Sequence, residues 1–195
     1  MIFFILIAAY LLGSIPFGYL LAQIIGKTDI RAHGSGNIGA TNVLRVMGWK
    51  AALPVFLLDF AKGFFAVLLA RAVSDQPAVY LSAGLLAMIG HSFPVFLRFK
   101  GGKAVATGVG AVVALSGWVA IILLALFVII VALTRYVSLG SIIGALSTPL
   151  LFWLLGFDPL YILFGVIMAA LIVGRHHENI GRLLKGHESK ISRKK

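Results

Sequence analysis

The amino-acid sequence predicts an all-α, polytopic membrane helical bundle of seven transmembrane helices, with the N-terminus outside and the C-terminus cytoplasmic. Three observations lead there. The 195 residues are 61% hydrophobic with a mean hydropathy of +1.04, well above the roughly half-apolar make-up of soluble domains. Apolar residues fall in runs long enough to cross ~30 Å of hydrocarbon at ~1.5 Å per helical residue. The cations behind the net charge of +11 are concentrated between those runs.

Residues 1–26 carry no charged side chain and form the first span. The segment has neither the basic leader nor the short apolar core of a cleaved signal, so it is expected to be retained. Apolar runs follow at 51–73, which contains Asp59 and Lys62, and at 77–97, 104–134, 136–157 and 159–174. Between runs, 27–50 carries Lys27, Arg31, Arg45 and Lys50 against Asp29, net +3. Segment 98–103 carries Arg98, Lys100 and Lys103, net +3, and 175–195 carries seven cations against Glu178 and Glu188, net +5. Segment 71–77 is neutral and 156–159 has only Asp158. The positive-inside rule makes the first three cytoplasmic and the last two external.

An even number of crossings must then separate 98–103 from the tail, yet three runs lie between them. Breaking 104–134 at Ser116-Gly117, a turn dipeptide followed by the interfacial residue Trp118, supplies the fourth. The result is seven helices with a short span over 104–116, a cytoplasmic Arg135 and an outward turn at Asp158-Pro159. Residues 1–186 read as one membrane domain without internal repeats. Residues 187–195 read as a basic cytoplasmic tail, too polar to fold alone, whose tip is expected to fray and whose Arg193, Lys194 and Lys195 are drawn to anionic lipid.

The absence of cysteine excludes disulfides, thiolate nucleophiles and Cys-based metal sites; no metal and no cofactor is expected. Nucleic acid is not expected as a partner either, because the cations flank apolar runs and no aromatic stacking platform is interleaved with them.

Three short polar segments carry the chemistry. The first is His33-Gly34-Ser35-Gly36-Asn37-Ile38-Gly39-Ala40-Thr41-Asn42, with Arg45 one turn after Thr41. Gly34, Gly36 and Gly39 spell GxGxxG, and Asp59 lies twenty residues beyond Gly39. A dinucleotide fingerprint needs a preceding strand and a βαβ unit, and here the motif lies between membrane helices. What remains is an anion site: glycines admit an anion to backbone N–H groups, Ser35, Asn37, Thr41 and Asn42 add polar groups, and Arg45 offers a fork for phosphate. A plain surface turn would need only the glycines.

The second segment, Arg98-Phe99-Lys100-Gly101-Gly102-Lys103-Ala104-Val105-Ala106-Thr107, sets two lysines around a glycine pair at a helix entrance. Lysine is a point charge suited to phosphate, and helix-entrance N–H groups reinforce it. The bland alternative is a positive-inside anchor. His91, just before this loop, is read as structural rather than as a base. The third segment runs from His176 to Lys190 and places His176, Asn179 and Arg182 at i, i+3 and i+6, close enough in angle to share one helix face. Histidine moves protons near neutral pH, asparagine orients a hydroxyl and arginine holds an anion.

Within the spans, Asp59 and Lys62 each cost ~2.5–3.5 kcal/mol on insertion scales. Their spacing allows them to pair, as a buried structural pair or as a link to the site. Ser138 and Ser141 offer hydroxyls either to a phosphate pocket or to neighbouring helices.

Taken together, GSGNIGATN with Arg45, GHSFPVFLRFKGGK leading to Val105-Ala106-Thr107, and His176 through Asn179-Ile180 to Arg182-Leu183, Gly186 and Glu188 resemble the bacterial acyl-phosphate:glycerol-3-phosphate acyltransferase family. The resemblance spans essentially the whole chain. It departs at Ala104, where the family commonly has glycine, and at Gly181, where it has a basic or polar residue. The resemblance implies an enzyme of the bacterial inner membrane, with its site at the cytoplasmic face, that starts phospholipid synthesis. A fatty acyl group would pass from long-chain acyl phosphate to the sn-1 hydroxyl of glycerol 3-phosphate, giving lysophosphatidic acid and phosphate.

Partners are then these two substrates and membrane lipids, with no obligate protein partner. Short cytoplasmic loops favour the phosphate donor over an acyl carrier protein. Other glycerol-phosphate acyltransferases use a His-x4-Asp pair, and none of the five histidines has an aspartate at that spacing. A mixed anhydride is already activated, so orientation and charge neutralisation are expected to suffice.

On this reading glycerol 3-phosphate lies against Arg45, Lys103 and Arg182, with Ser35, Asn179 and His176 near its hydroxyl. The donor phosphate rests on the N–H groups of the glycine loops, Gly34 to Gly39 and Gly101-Gly102, on Thr41 and Lys100, and on Ser141 as an option. The proton goes to His176 or to the departing phosphate. Small residues Gly108, Gly110 and Ala111 are expected to leave a groove for the acyl chain. The alternative reading is a small multi-span anion or organophosphate transporter, whose site would sit at broken helices near the bilayer midplane.

Overall fold

The computed structural model describes residues 1–191, and among them ten α-helices and no strand are found. The helices are α1 (Ile2–Ser14), α2 (Phe17–Gly26), α3 (Ala40–Met47), α4 (Trp49–Val73), α5 (Pro77–Ser92), α6 (Val105–Leu115), α7 (Gly117–Thr134), α8 (Val137–Leu154), α9 (Pro159–Arg175) and α10 (His177–Leu184). Single 3-10 turns cover Ile30–Ala32 and Val95–Leu97. The helices gather into two compact units, Met1–Leu115 and Ser116–Lys195.

Helix boundaries follow local chemistry. Pro16 has no N–H and separates α1 from α2. The Ser116 hydroxyl accepts from the Val119 N–H and opens α7, so the long apolar run is interrupted at the Ser-Gly pair. Asp158 accepts from the Leu160 N–H at 2.8 Å with Pro159 in the first turn of α9, the usual chemistry of a helix start.

Among the described residues, five helical stretches are long and apolar enough to cross a bilayer: Ile2–Gly26, Trp49–Val73, Pro77–Leu97, Gly117–Thr134 and Val137–Leu154. The pair α9 and α10, bent by 63° at His176, makes a sixth if taken as one span. Helix α6 has 11 residues, ~16 Å at ~1.5 Å per residue. Length and composition therefore give five or six spans, against the seven that the loop charges call for.

In the first unit the helices meet at small residues, as expected where lipid supplies no hydrophobic drive between them. A Cβ on Gly63 of α4 would strike the Thr107 carbonyl of α6, and one on Gly110 would strike the Phe60 carbonyl. Gly13 of α1 lies in the same way on Ala87 of α5, and Gly90 of α5 on Tyr10. This corrects the expected acyl groove: Gly108, Gly110 and Ala111 are buried, and Gly110 is consumed by contact with α4. At the end of α6 the Arg71 guanidinium donates to the Ala114 carbonyl at 2.9 Å and stacks 4.6 Å over Tyr80. The short helix is thus closed by a side chain of α4.

In the second unit α8 packs against both α7 and α9. Phe152 is ringed by Phe157, Tyr161 and Phe164 at 5.1, 5.6 and 6.4 Å. Gly165 of α9 rests on Pro149. Beyond α10, residues 187–191 are tied back to the helices. His187 N–H donates to the Arg182 carbonyl at 2.8 Å and Ile191 N–H to the Arg135 carbonyl at 2.9 Å. Arg193, Lys194 and Lys195 lie outside the described residues.

Gly63→Ala forces a methyl group into the Thr107 carbonyl, and thermal unfolding in detergent is expected to show a loss of ~1–3 kcal/mol, as for overpacked cores. Gly144→Ala, in a helix position with nothing within 4 Å of the added carbon, is expected to leave stability unchanged or raise it by up to ~1 kcal/mol.

Candidate functional site

The first polar segment is folded around one amide. Asn42, on the first turn of α3 and 2% exposed, accepts from Ser35 N–H at 2.8 Å through Oδ1. Its Nδ2 donates to the carbonyls of Ile30, His33 and Asn37 at 3.2, 3.0 and 2.8 Å. Asn37 Oδ1 accepts from Gly39 N–H at 2.9 Å, and Gly36 N–H donates to the His33 carbonyl at 3.0 Å. Gly34 and Gly36 adopt φ of +61° and +70°, a region open to glycine at little cost.

Two expectations change here. Asn42 holds the loop together rather than reaching outward, and the N–H groups of Ser35, Gly36 and Gly39 are engaged inside the loop. The groups left facing outward are Ser35, Thr41 and Arg45, all exposed, the last two one turn apart on α3, where the Asn42 and Val43 N–H groups donate to the Gly39 carbonyl and those of Ala40 and Thr41 open the helix. Arg31 is also exposed. Its guanidinium is bonded to Asp29 at 2.7–3.2 Å and stacks over Tyr19. The bond from Arg31 holds the Asp29 carboxyl down to about 2.

The second segment is tied to the last turn of α5. Gly101 N–H donates to the Ser92 carbonyl at 3.2 Å and Gly102 N–H to the His91 carbonyl at 3.0 Å. A Cβ on Gly102 would land on the His91 ring, and one on Gly101 on the His91 carbonyl. These glycines therefore seat the loop against α5, and their N–H groups serve that contact rather than an anion. Lys100 is exposed and Lys103 half-buried. Ala104, 1% exposed, has φ +57°, a left-handed conformation that favours glycine. His91 and Asp59 are buried with Nδ1 and Oδ1 3.5 Å apart, and Lys62 Nζ lies 2.9 Å from the same carboxylate oxygen.

In the second unit Glu188 organises the third segment. Gly186, at φ +70°, turns the chain back after α10. The Glu188 carboxylate, 6% exposed, accepts from Ser138 Oγ at 2.8 Å, Asn179 Nδ2 at 2.6 Å and Arg182 Nε at 2.8 Å. Burial pushes the carboxyl up, but the bonds from Arg182, Asn179 and Ser138 outweigh it and leave the group below its ordinary value.

His176 stands at the 63° bend between α9 and α10, immediately before α10. It is buried, with Nδ1 2.7 Å from the Ile172 carbonyl. A carbonyl only accepts, so Nδ1 carries the proton and Nε2 is the acceptor in the neutral ring. The Ser141 hydroxyl donates to the Val137 carbonyl at 2.9 Å within α8, which removes it as a donor to phosphate.

The family model described as glycerol-3-phosphate acyltransferase matches residues 3–186. The chain belongs to the glycerol-3-phosphate acyltransferase family. It is similar to the glycerol-3-phosphate acyltransferase of Desulforamulus reducens, 49% identical over 98% of this chain and 96% of the relative. The enzyme of Thermoanaerobacter pseudethanolicus is 46% identical over 96% and 94%. Among solved structures, the glycerol 3-phosphate form of PlsY, an integral membrane glycerol 3-phosphate acyltransferase, superposes with a TM-score of 0.94 at 44% identity, covering 98% of this chain and 96% of that one. The lysophosphatidic acid form gives 0.91 at 42%, covering 98% and 95%. The chain is therefore a membrane acyltransferase of phospholipid synthesis.

For this acyltransferase, sequence reasoning left Glu188 without a role and gave Ser138 no carboxylate partner. The signal was present as a lone acid among cations after a helix-ending glycine, but the partner fifty residues earlier had no local trace.

Ala104→Gly relieves a left-handed alanine and is expected to raise unfolding stability by ~1–2 kcal/mol. The depressed Glu188 value makes its stabilising effect full above the unfolded carboxyl value of 4.5 and lost as pH falls through the lower folded value. Thermal unfolding at stepped acid pH is expected to show this loss in the wild type and a smaller one in Glu188→Gln, which is less stable at neutral pH.

Proposed function

We propose that the enzyme moves a fatty acyl group from long-chain acyl phosphate to the sn-1 hydroxyl of glycerol 3-phosphate. The hydroxyl oxygen attacks the acyl carbonyl carbon, the bond from that carbon to the phosphate oxygen breaks, and lysophosphatidic acid and phosphate leave. Family membership supports the acceptor, and similarity to enzymes solved in glycerol 3-phosphate and lysophosphatidic acid forms supports substrate and product. The donor is inferred from chemistry: a mixed anhydride needs positioning and charge neutralisation more than it needs a strong base.

Arg45, Lys103 and Arg182 hold the glycerol phosphate. Thr41, Lys100 and the entrance of α3 hold the donor phosphate. Ser35, Asn179 and His176 face the reacting hydroxyl. Asn37, Gly39, Asn42, Gly101 and Gly102 support these groups, with Gly34 and Gly36 providing the turn. One functional domain over 1–186 crosses the bacterial inner membrane seven times, N-terminus outside and C-terminus inside, and works at the cytoplasmic face.

The observation that carries the catalytic reading is the 2.7 Å approach of His176 Nδ1 to the Ile172 carbonyl. With Nδ1–H bonded to the Ile172 carbonyl, Nε2 is the one ring position able to take the hydroxyl proton.

Purified enzyme given long-chain acyl phosphate and radiolabelled glycerol 3-phosphate is expected to form labelled lysophosphatidic acid, in preference to acyl-CoA or carrier-bound donors. Uptake of label into liposomes without lysolipid would favour the transporter. His176→Ala is expected to lower kcat by ~10² to 10⁴, the worth of a positioned base; a loss of only about tenfold would assign the proton to the departing phosphate.

A further inference from the structure

Asp59, Lys62 and His91 are buried together in the first unit, outside the set of groups assigned to substrate. Lys62 Nζ donates to the Ile15 carbonyl at 3.0 Å, the group left at the end of α1 where Pro16 breaks the helix, and lies 2.9 Å from Asp59 Oδ1. The same oxygen faces His91 Nδ1 at 3.5 Å. The His91 ring in turn forms the floor under Gly102, where a Cβ would strike Nε2, Cδ2 and Cε1. Gly101 and Gly102 are fastened to the carbonyls of Ser92 and His91. Immediately beyond stands Lys103, followed by Ala104 in its left-handed turn into α6.

Stability alone does not explain this set. A buried ion pair is often no more stable than apolar residues of the same size, because desolvation offsets the attraction. What the charges add is direction. The Asp59 carboxylate faces Nδ1 of the imidazole at 3.5 Å, and the other side of that ring is where a Cβ on Gly102 would land, so the charge and the loop meet at one ring.

We propose that Asp59 and Lys62, acting through His91, are positioning residues that set the height and direction of the Lys100–Lys103 loop for its phosphate. This rests on the reading that the lysines of that loop hold substrate phosphate. The network joins the break in the first span to the loop, so the position of the cations depends on groups buried within the helix bundle.

The test is steady-state kinetics of lysophosphatidic acid formation with glycerol 3-phosphate varied at saturating acyl phosphate, alongside thermal unfolding of each variant. Asp59→Leu/Lys62→Met removes both charges together and is expected to stay folded, with KM for glycerol 3-phosphate raised tenfold or more and kcat changed less than threefold. His91→Leu, which leaves the ion pair intact, is expected to do the same and serves if the double variant does not fold. Lys62→Arg keeps the pair and is expected to stay within threefold of wild type in KM.

Folded variants with wild-type KM, or losses confined to kcat in step with the folded fraction, would overturn the proposal. Lys103→Ala separates the two levels. If it raises KM while the network variants do not, the positioning role fails alone. If it leaves KM unchanged, the phosphate reading of the loop fails and the positioning proposal with it.

Discussion

A polar loop beside a membrane span keeps its shape only if its backbone groups find partners within the protein, and in this enzyme one buried polar side chain organises each loop. Asn42 gathers four backbone groups of the glycine segment. His91, held against Asp59, lies under the lysine segment. Glu188 draws in Ser138, Asn179 and Arg182. Each buried group left unpaired would cost ~1–3 kcal/mol, so disturbing a hub releases several groups at once. Glycines fit the same scheme: those at 101 and 102 exist for the contact with α5.

The consequence is a division between groups that form the loops and groups that face outward. Residue types suited to phosphate, such as Asn, Ser and glycine N–H, are equally suited to satisfying a loop, and here many do the latter. The outward-facing set is smaller and dominated by cations: Arg45, Lys100, and the part-exposed guanidinium of Arg182. Long cationic side chains on a rigid base answer the needs of phosphate recognition, in which charge and position count for more than bond number.

The architecture was legible where local chemistry dictates it. Apolar runs, the interruption at Ser116-Gly117 and the Asp158-Pro159 helix start all follow from a few adjacent residues, and the helices begin and end there, whereas the break at Pro16 was read through as one span. The spacing of Asp59 and Lys62 announced their pairing. Long-range partnerships were not legible. Nothing near Ser138 points to Glu188, and no local signal announces the 63° bend between α9 and α10 beside His176. Gly110 reads as an empty groove in sequence because a missing side chain looks the same whether lipid or a neighbouring backbone fills the space. The contact with the Phe60 carbonyl makes it the latter.

The same packing bears on the transporter alternative. A transport site near the bilayer midplane uses a broken helix whose open carbonyls and N–H groups coordinate the cargo. The first span does break, at Pro16, and a charged pair lies beside it. Yet the ammonium of Lys62 already satisfies the Ile15 carbonyl and faces Asp59, so the break is sealed by the protein's own side chain. A site that bound and released an anion there would have to part that ion pair in every cycle, against a low-dielectric surrounding that makes each separated charge expensive. Fixed charge at depth, with outward-facing Arg45 and Lys100 in the polar loops, suits an enzyme that keeps its framework rigid and meets its substrates at those loops.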